Sequence, residues 1–261
     1  MKVMDTEIIE VLFESDLAKT FRLKTPWQEK PSPGQYMMVW VRGVDDIPMS
    51  LSSKDSITVQ RVGDASSALH KYQAGDRLGL RGPFGNGFEL VKGSIAIIAG
   101  GMGAAPLAYL AESAKEKGCE VTTIVGAMRS SELLFLDRFE EAGDLLISTD
   151  DGSKGRKGLV TDILGDVDLD GFDQIYTCGP ELMMSEVMRI SGDLEILSKL
   201  QLSIERYIKC AVGLCGSCCI DPSGLRACKE GPIFRGDQLI GSEFGKYRRD
   251  ASGEKIFLKS N

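Results

Sequence analysis

The segment 210–228 constrains this chain more than any other. Cys210, Cys215, Cys218 and Cys228 stand at the spacing C-x4-C-x2-C-x9-C, which thiolates use to hold a [2Fe–2S] cluster. Three sulfurs at such short intervals demand a tight loop, and the fourth must arrive from a later segment. Gly213 and Gly216 suit that loop, because amides turned toward bridging sulfides need backbone angles that glycine reaches at little cost. Arg226 and Lys229 flank the fourth cysteine and would offset cluster charge. Two plainer readings compete. Four cysteines also hold structural zinc, but zinc ribbons usually carry two separated C-x2-C pairs, and here there is one. Buried free thiols are the other reading. Disulfides need an oxidising compartment, and nothing in the sequence suggests one. Cys219 competes with Cys218 for third place. Cys218 completes the two-residue step and leaves Cys219 facing the other way.

The 261 residues give room for two modest domains, or two with an appendage. A net charge of −7 without a basic run gives nucleic-acid binding no electrostatic support. The opening MKVMDTEIIE carries acids and no apolar stretch of the kind that starts an export signal. No run of about 18 apolar residues is present to span a bilayer. With seven cysteines, this leads us to expect a reducing cytoplasm. The single histidine, His70, speaks against acid–base chemistry built on imidazole. A carrier of hydride or electrons needs none.

Residues 1–90 read as short β-strands at 6–13, 18–23, 36–41, 56–62 and 77–81, separated by turn clusters at 31–34 and 73–76. Such spacing predicts a small antiparallel barrel. Two stretches stand out, Ile47-Pro48-Met49-Ser50 and Gly63-Asp-Ala65-Ser66. The second opens a short helix whose amides and hydroxyls would cradle phosphate; the plain alternative for each is a solvated loop with capping serines.

From 91 to 198 the period changes. An apolar run at 94–99 runs straight into Gly100-Gly101-Met102-Gly103 and a helix over 104–117. Strands follow at 120–126, 145–148 and 174–177, with helices at 131–141, 158–164 and 181–191. This alternation predicts a doubly wound parallel sheet, whose ligands bind beyond the carboxyl ends of its strands. Gly100, Gly101 and Gly103 occupy that place, and so do Cys178, Gly179 and Pro180. The glycines are not the G-x-G-x-x-G fingerprint, since residue 106 is proline and no acid ends the second strand. A tight strand-to-helix turn is the plain reading of them. In residues 199–261 the segment 200–207 leads into the cysteine loop, followed by a hairpin at 220–226 and a polar tail over 244–258, expected to be solvated or to dock on a partner.

Barrel, nucleotide sheet and cysteine loop, in that order, resemble the ferredoxin-reductase-like flavoproteins. Among them the chain is most similar to the family of electron-transfer subunits of NAD-linked dihydroorotate dehydrogenases. The stretches that carry the likeness are Pro48–Leu51, 63–69, 82–88, 100–106, Cys178-Gly179-Pro180 with Met183 and Met184, 210–218, and Cys228-Lys-Glu-Gly-Pro-Ile-Phe234. They span nearly the whole chain, and the cysteine loop with its Cys-Lys-Glu-Gly-Pro-Ile-Phe return is the most specific.

The resemblance implies that the barrel binds FAD, that the sheet binds NAD(H), and that the cluster lies between FAD and an FMN-containing catalytic partner, two copies of each in a heterotetramer for pyrimidine synthesis. By position, Ile47, Pro48, Met49 and Ser50 would line the isoalloxazine and phosphate, with Ser50 within reach of the flavin N5. Gln60, Arg61 and Val62 would run along the flavin, and Ala65 and Ser66 would meet the pyrophosphate. NADH would lie over Gly100–Gly103 with its nicotinamide near Cys178–Pro180. Two positions depart from the family pattern. Ile47 stands where an arginine usually pairs with FAD phosphate, so Arg61 or Arg42 would supply that charge. Ala65-Ser66 stands where Gly-Thr is common, which keeps a hydroxyl. The rival enzyme reading is a diaphorase-like subunit of a cytoplasmic hydrogenase or an NADPH:ferredoxin oxidoreductase. The non-enzyme reading is a zinc-stabilised binding module without flavin.

Overall fold

A computed structural model describes residues 3–24 and 30–259. Six antiparallel strands close a barrel: β1 (Met4–Ser15), β2 (Ala18–Leu23), β3 (Tyr36–Val41), β4 (Asp45–Ser53), β5 (Ser56–Gln60) and β6 (Arg77–Phe84), in the order β1-β2-β5-β4-β3-β6. Alternating side chains fill it, among them Ile8, Phe21, Leu23, Met37, Val39, Val41, Leu51, Ile57, Leu78 and Leu80, all buried. The short helix α1 (Asp64–Leu69) contributes Ala65 and Leu69, one turn apart, to the same core.

The sequence pattern suggested five strands and missed β4. Its alternation is hidden because Asp46 to Ser50 are all half-exposed. The physical reason lies in the pairing. Over 45–50 β4 pairs with β3 alone, and its ladder with β5 starts only at Leu51↔Ile57. One edge of β4 is therefore open there, and Pro48, with no N–H to donate, sits where no ladder bond is needed.

The second body is a seven-stranded sheet with α/β winding. It contains β7 (Ser94–Gly100), β8 (Glu120–Ala127), β9 (Asp144–Thr149), β10 (Arg156–Lys157), β11 (Gln174–Cys178) and β12 (Leu200–Ser203), with helices α2 (Ala104–Glu116), α3 (Leu136–Ala142), α4 (Val160–Ile163) and α5 (Glu181–Asp193). The strand order is β10-β9-β8-β7-β11-β12, so the winding reverses between β7 and β11. Ile95 to Ala99 are fully buried because both faces of β7 are covered, by Leu107 and Ala111 of α2 on one side and Met184 and Val187 of α5 on the other. The helix expected at 131–141 begins only at Leu136, after a 3-10 turn at Ser130–Glu132 and Phe135 at φ 60°. The helix expected over 158–164 is one turn of α4 followed by a 3-10 turn, and the segment leading to the cysteine loop is strand only over Leu200–Ser203.

The remaining chain forms a hairpin of β13 (Cys219–Ile220) with β14 (Leu225–Arg226). It then returns as β15 (Ile233–Arg235), antiparallel to β12 as the seventh strand of the sheet. The tail is not simply solvated. It forms a hairpin of β16 (Tyr247–Arg249) with β17 (Lys255–Phe257), and both Tyr247 Oη at 2.8 Å and Arg249 Nη2 at 2.6 Å donate to the Asp221 carboxylate. No helix among the described residues is long and apolar enough to cross a membrane.

Candidate cofactor sites

The two glycine-bearing turns singled out in the sheet are one structure. β7 and β11 run parallel with Ala99 opposite Cys178, so Gly100–Gly103 and Cys178–Pro180 leave the sheet side by side at the switch point. Gly103 lies under the second turn: a methyl placed there would come within 2.1 Å of the Cys178 carbonyl oxygen. Gly100 likewise faces Met183 and the Pro180 ring, and Gly179 faces Met183 and the Gly100 backbone. The turn-packing reading therefore explains three of these glycines. Gly101 differs, since φ is +49° and nothing lies within 4 Å of an added methyl. Open space above this turn is where a dinucleotide has room to approach backbone. The Cys178 thiol beside it is desolvated enough to push its pKa up to about 12, although the residue is not wholly buried. Arg129, just past β8, pairs with Glu132 at 3.1 Å.

On the barrel, the open edge of β4 presents Ile47 to Ser50. Ile47 and Met49 pack against the barrel interior, so Pro48 and Ser50 alternate to the outer face. Gln60, Arg61 and Val62 are exposed at the end of β5, leading to α1. Ser66 is not the open hydroxyl that the sequence suggests. Its Oγ accepts from the amides of Val62 at 3.0 Å and Gly63 at 2.9 Å and donates to the Gly63 carbonyl at 3.0 Å, so it caps its own helix. The two candidate cations separate clearly. Arg42 is tied to Asp5 and lies over the Trp40 ring. Arg61 makes no ion pair among the described residues and lines an open cavity of ≈ 410 Å³ with Asp16, Lys19, Ser67, His70 and Lys71.

The cysteines gather in two pairs. Cys210 and Cys215 are hydrogen-bonding neighbours, and so are Cys218 and Cys228, where the Cys228 amide also donates to Cys218 Sγ at 3.5 Å. Burial works against ionising Cys210, but amides of Cys215, Val212 and Leu214 aimed at its sulfur outweigh it and bring the thiol down to about 6. Burial, then the neighbouring Cys218 thiol, pushes Cys228 up to about 12. No group of three or more His, Cys, Asp or Glu among the described residues is arranged to hold a metal ion by itself. Zinc would need all four thiolates around one point at about 2.3 Å. Two irons bridged by sulfide need two thiolates each, and the paired arrangement fits that donor set. Amides pointing at sulfur fit it as well. Cys219 opens β13 next to buried Cys218 and still feels the charges of Cys228 and Cys215, so the choice of Cys218 as third ligand rests on the two-residue step and on the Cys218–Cys228 pairing.

Arg226 does not offer a bare charge to the loop. Its guanidinium grips Glu230, whose carboxyl this holds at about 2, and its Nη1 donates to the Gly213 carbonyl at 2.8 Å. The return segment after Cys228 is seated on the barrel: Asn86 N donates to Gly231 O at 2.7 Å and Asn86 Nδ2 to Glu230 O at 2.9 Å. A buried charge network missed in the sequence joins the same region to the sheet. Arg206, 2% exposed, donates to Glu181 at 2.8 and 3.1 Å and to Glu243 at 2.9 Å. The spare carboxylate valence is met by the amides of Gly245 and Asp221.

Comparison with known proteins agrees with both ends of this description. Residues 205–240 match the iron-sulfur cluster binding domain of dihydroorotate dehydrogenase B, and residues 97–189 an oxidoreductase NAD-binding domain. A probable dihydroorotate dehydrogenase B (NAD(+)), electron transfer subunit, of Methanocella arvoryzae is 51% identical over 98% of this chain and 99% of its own length. The chain belongs to this family. The correspondingly named subunit of Methanocaldococcus jannaschii is 47% identical over 96% of each chain. Among solved structures, an NADH-dependent reduced ferredoxin–NADP oxidoreductase studied for flavin-based electron bifurcation is 28% identical. The match covers 89% of this chain and 88% of that one, with a TM-score of 0.81. A ferredoxin NADP+ reductase from Neisseria gonorrhoeae, 19% identical over 77% of this chain and 98% of that one with a TM-score of 0.65, shares the fold. The chain is thus a flavin and iron–sulfur oxidoreductase subunit of NAD-linked electron transfer. The relatives that match over nearly its full length favour the dehydrogenase reading over the ferredoxin or hydrogenase one.

Proposed function

We propose that this chain passes electrons between NAD(H) and an FMN-containing dihydroorotate dehydrogenase subunit in the cytoplasm, in an assembly of two chains of each kind. When bound, FAD supplies the exchange between paired and single electrons, and the [2Fe–2S] cluster supplies a one-electron centre. The protein's share is placement. Pro48 and Ser50 on the open edge of β4 would hold the flavin ring, Ser50 offering it a hydroxyl. Ile47, Met49, Gln60 and Val62 shape the slot, Ala65 opens α1 toward the phosphates, and Arg61 carries the charge that Ile47 cannot. Ser66 keeps the α1 start in shape by capping it. Gly100–Gly103 and Cys178–Pro180 receive the dinucleotide around open Gly101. Cys210 with Cys215, and Cys218 with Cys228, would supply the thiolates that hold the cluster.

The observation that carries this reading is the seating of the Cys228–Phe234 return against Asn86, just past β6, and of the Cys228 carbonyl against Tyr36 of β3, the strand paired with β4. The test is Cys215→Ser. We expect flavin bleaching by NADH in stopped flow to survive while delivery of electrons to the catalytic partner is lost. Loss of bleaching in a variant that keeps its fold and FAD would overturn the order of carriers.

A further inference from the structure

Tyr36 belongs to the flavin-facing sheet and to the cluster's surroundings at once, and unlike Met38 and Phe84 in the same core it also makes a hydrogen bond there. On β3 it stands directly opposite Ser50 of β4 and opposite Phe84 of β6. Residues opposed in a sheet share a face, so Ser50, Tyr36 and Phe84 form one row across the outer face of the barrel. The Tyr36 and Phe84 rings sit 5.7 Å apart. The row continues into the cluster region. Tyr36 is 2% exposed and packs in the same apolar core as Cys218, Cys228, Ala211 and Ala227. Its hydroxyl donates to the main-chain carbonyl of Cys228 at 3.4 Å, across 192 residues of sequence. No other hydrogen bond among the described residues joins a barrel side chain to a cluster cysteine.

We propose that Tyr36 is the positioning residue that fixes the fourth cluster cysteine against the flavin strand, and so sets the flavin-to-cluster electron step. This rests on the cofactor placement given above. FAD and the cluster, when bound, would supply the one-electron exchange itself. Tyr36 keeps its proton and is not oxidised. Its ring fills the space between the two sites, and its hydroxyl holds the backbone that carries the Cys228 sulfur. A side chain in this place acts on geometry and on local dipoles, which are levers on the potential of an iron–sulfur centre.

The test uses Tyr36→Phe and Tyr36→Leu in the intact chain, purified anaerobically with its partner subunit. Flavin and iron content are read first. Material from the unaltered chain without flavin or iron would overturn the cofactor placement itself, whatever Tyr36 does. With both present, three quantities are followed. These are flavin reduction by NADH in stopped flow, the rate at which the cluster is then reduced, and the low-temperature EPR spectrum and reduction potential of the cluster. For Tyr36→Phe we expect unchanged flavin reduction and full iron. Losing a donor dipole beside the cluster should lower its potential, because such a dipole favours the more negative reduced form. For Tyr36→Leu we expect a slowing of cluster reduction of more than about tenfold, with an altered EPR line shape, since ring and hydroxyl are both gone. If both variants unfold at lower temperature yet keep the wild-type EPR spectrum, potential and cluster-reduction rate, the residue is merely structural and the proposal falls.

Discussion

At the dinucleotide end of the molecule, a methyl on Gly103 would lie 2.1 Å from the Cys178 carbonyl oxygen; at the cluster end, the nearest atom to a methyl on Gly216 is the Cys219 sulfur at 4.0 Å. The two glycines do different work. Gly103 is required by a neighbour, because one turn of backbone lies directly on another. Gly216, at φ +77°, is required by its own backbone in a loop with space around it. The first end is built like a protein core, from parallel strands that fix both turns. The second is a loop with few regular bonds, whose shape depends on fixtures reaching it from elsewhere: Arg226 on the Gly213 carbonyl, Asn86 on the return segment, and Tyr36 on Cys228. Substitutions should therefore damage the two ends separately, except where one fixture serves both.

Arg206 is that fixture, and the largest effect is expected there. It binds Glu181 at the first turn of α5, just past Pro180, and Glu243, which in turn accepts from the Asp221 amide beside the cysteine hairpin. Arg206→Ala would leave two carboxylates buried without their cation. Breaking a buried pair in this way costs about 3–5 kcal/mol. We expect a drop of that size in urea-induced unfolding, together with loss of both NADH-driven flavin bleaching and cluster iron. Damage confined to one end would show that the network does not couple them. Arg206→Met with Glu181→Gln and Glu243→Gln should recover most of the stability, since replacing all three charges removes the unpaired ones.

The two ends were unequally legible in the sequence. Strand–helix alternation and the two glycine turns marked the dinucleotide end, because a buried parallel strand writes itself as an unbroken apolar run and the turns follow at its carboxyl end. The cysteine spacing marked the cluster, because ligand spacing is local. What holds each in place was invisible. Arg206 finds partners 25 and 37 residues away, and Tyr36 a partner 192 away, and a lone arginine or tyrosine carries no sign of its mate. β4 hides because Pro48 and the serines at 50, 52 and 53 look like a loop, although Ile47, Met49 and Leu51 alternate with them, on a strand whose outer half has an open edge. Ser66 was read as a hydroxyl for phosphate, but three local bonds occupy it. A capping serine and a ligand-binding serine look alike until the helix start is seen.

Gly103→Ala sharpens the comparison from the dinucleotide side. The obstacle is backbone, not the end of a flexible side chain, so relief requires moving Cys178-Gly179 or the start of α2. Overpacking of this kind costs about 1–3 kcal/mol. We expect slow or absent flavin bleaching by NADH, with iron, EPR spectrum and dithionite reduction of the cluster unchanged. Ordinary bleaching kinetics would mean that the turn has slack and that its closeness is not what shapes the site.

Gly216→Ala should have the smallest effect, and from the opposite side. With φ at +77° and nothing for the methyl to strike, the cost is that of a left-handed backbone for an L-residue, roughly 1–2 kcal/mol. That penalty falls on the loop bearing Cys215 and Cys218, so iron content after anaerobic purification should drop while NADH still bleaches the flavin at the normal rate. Gly216→Asn should restore part of the iron, because asparagine enters the left-handed region more readily than alanine. A steric requirement would make asparagine worse than alanine; a conformational one makes it better. The order of the two variants therefore decides whether the cluster end really is the open counterpart of the packed turn at Gly103.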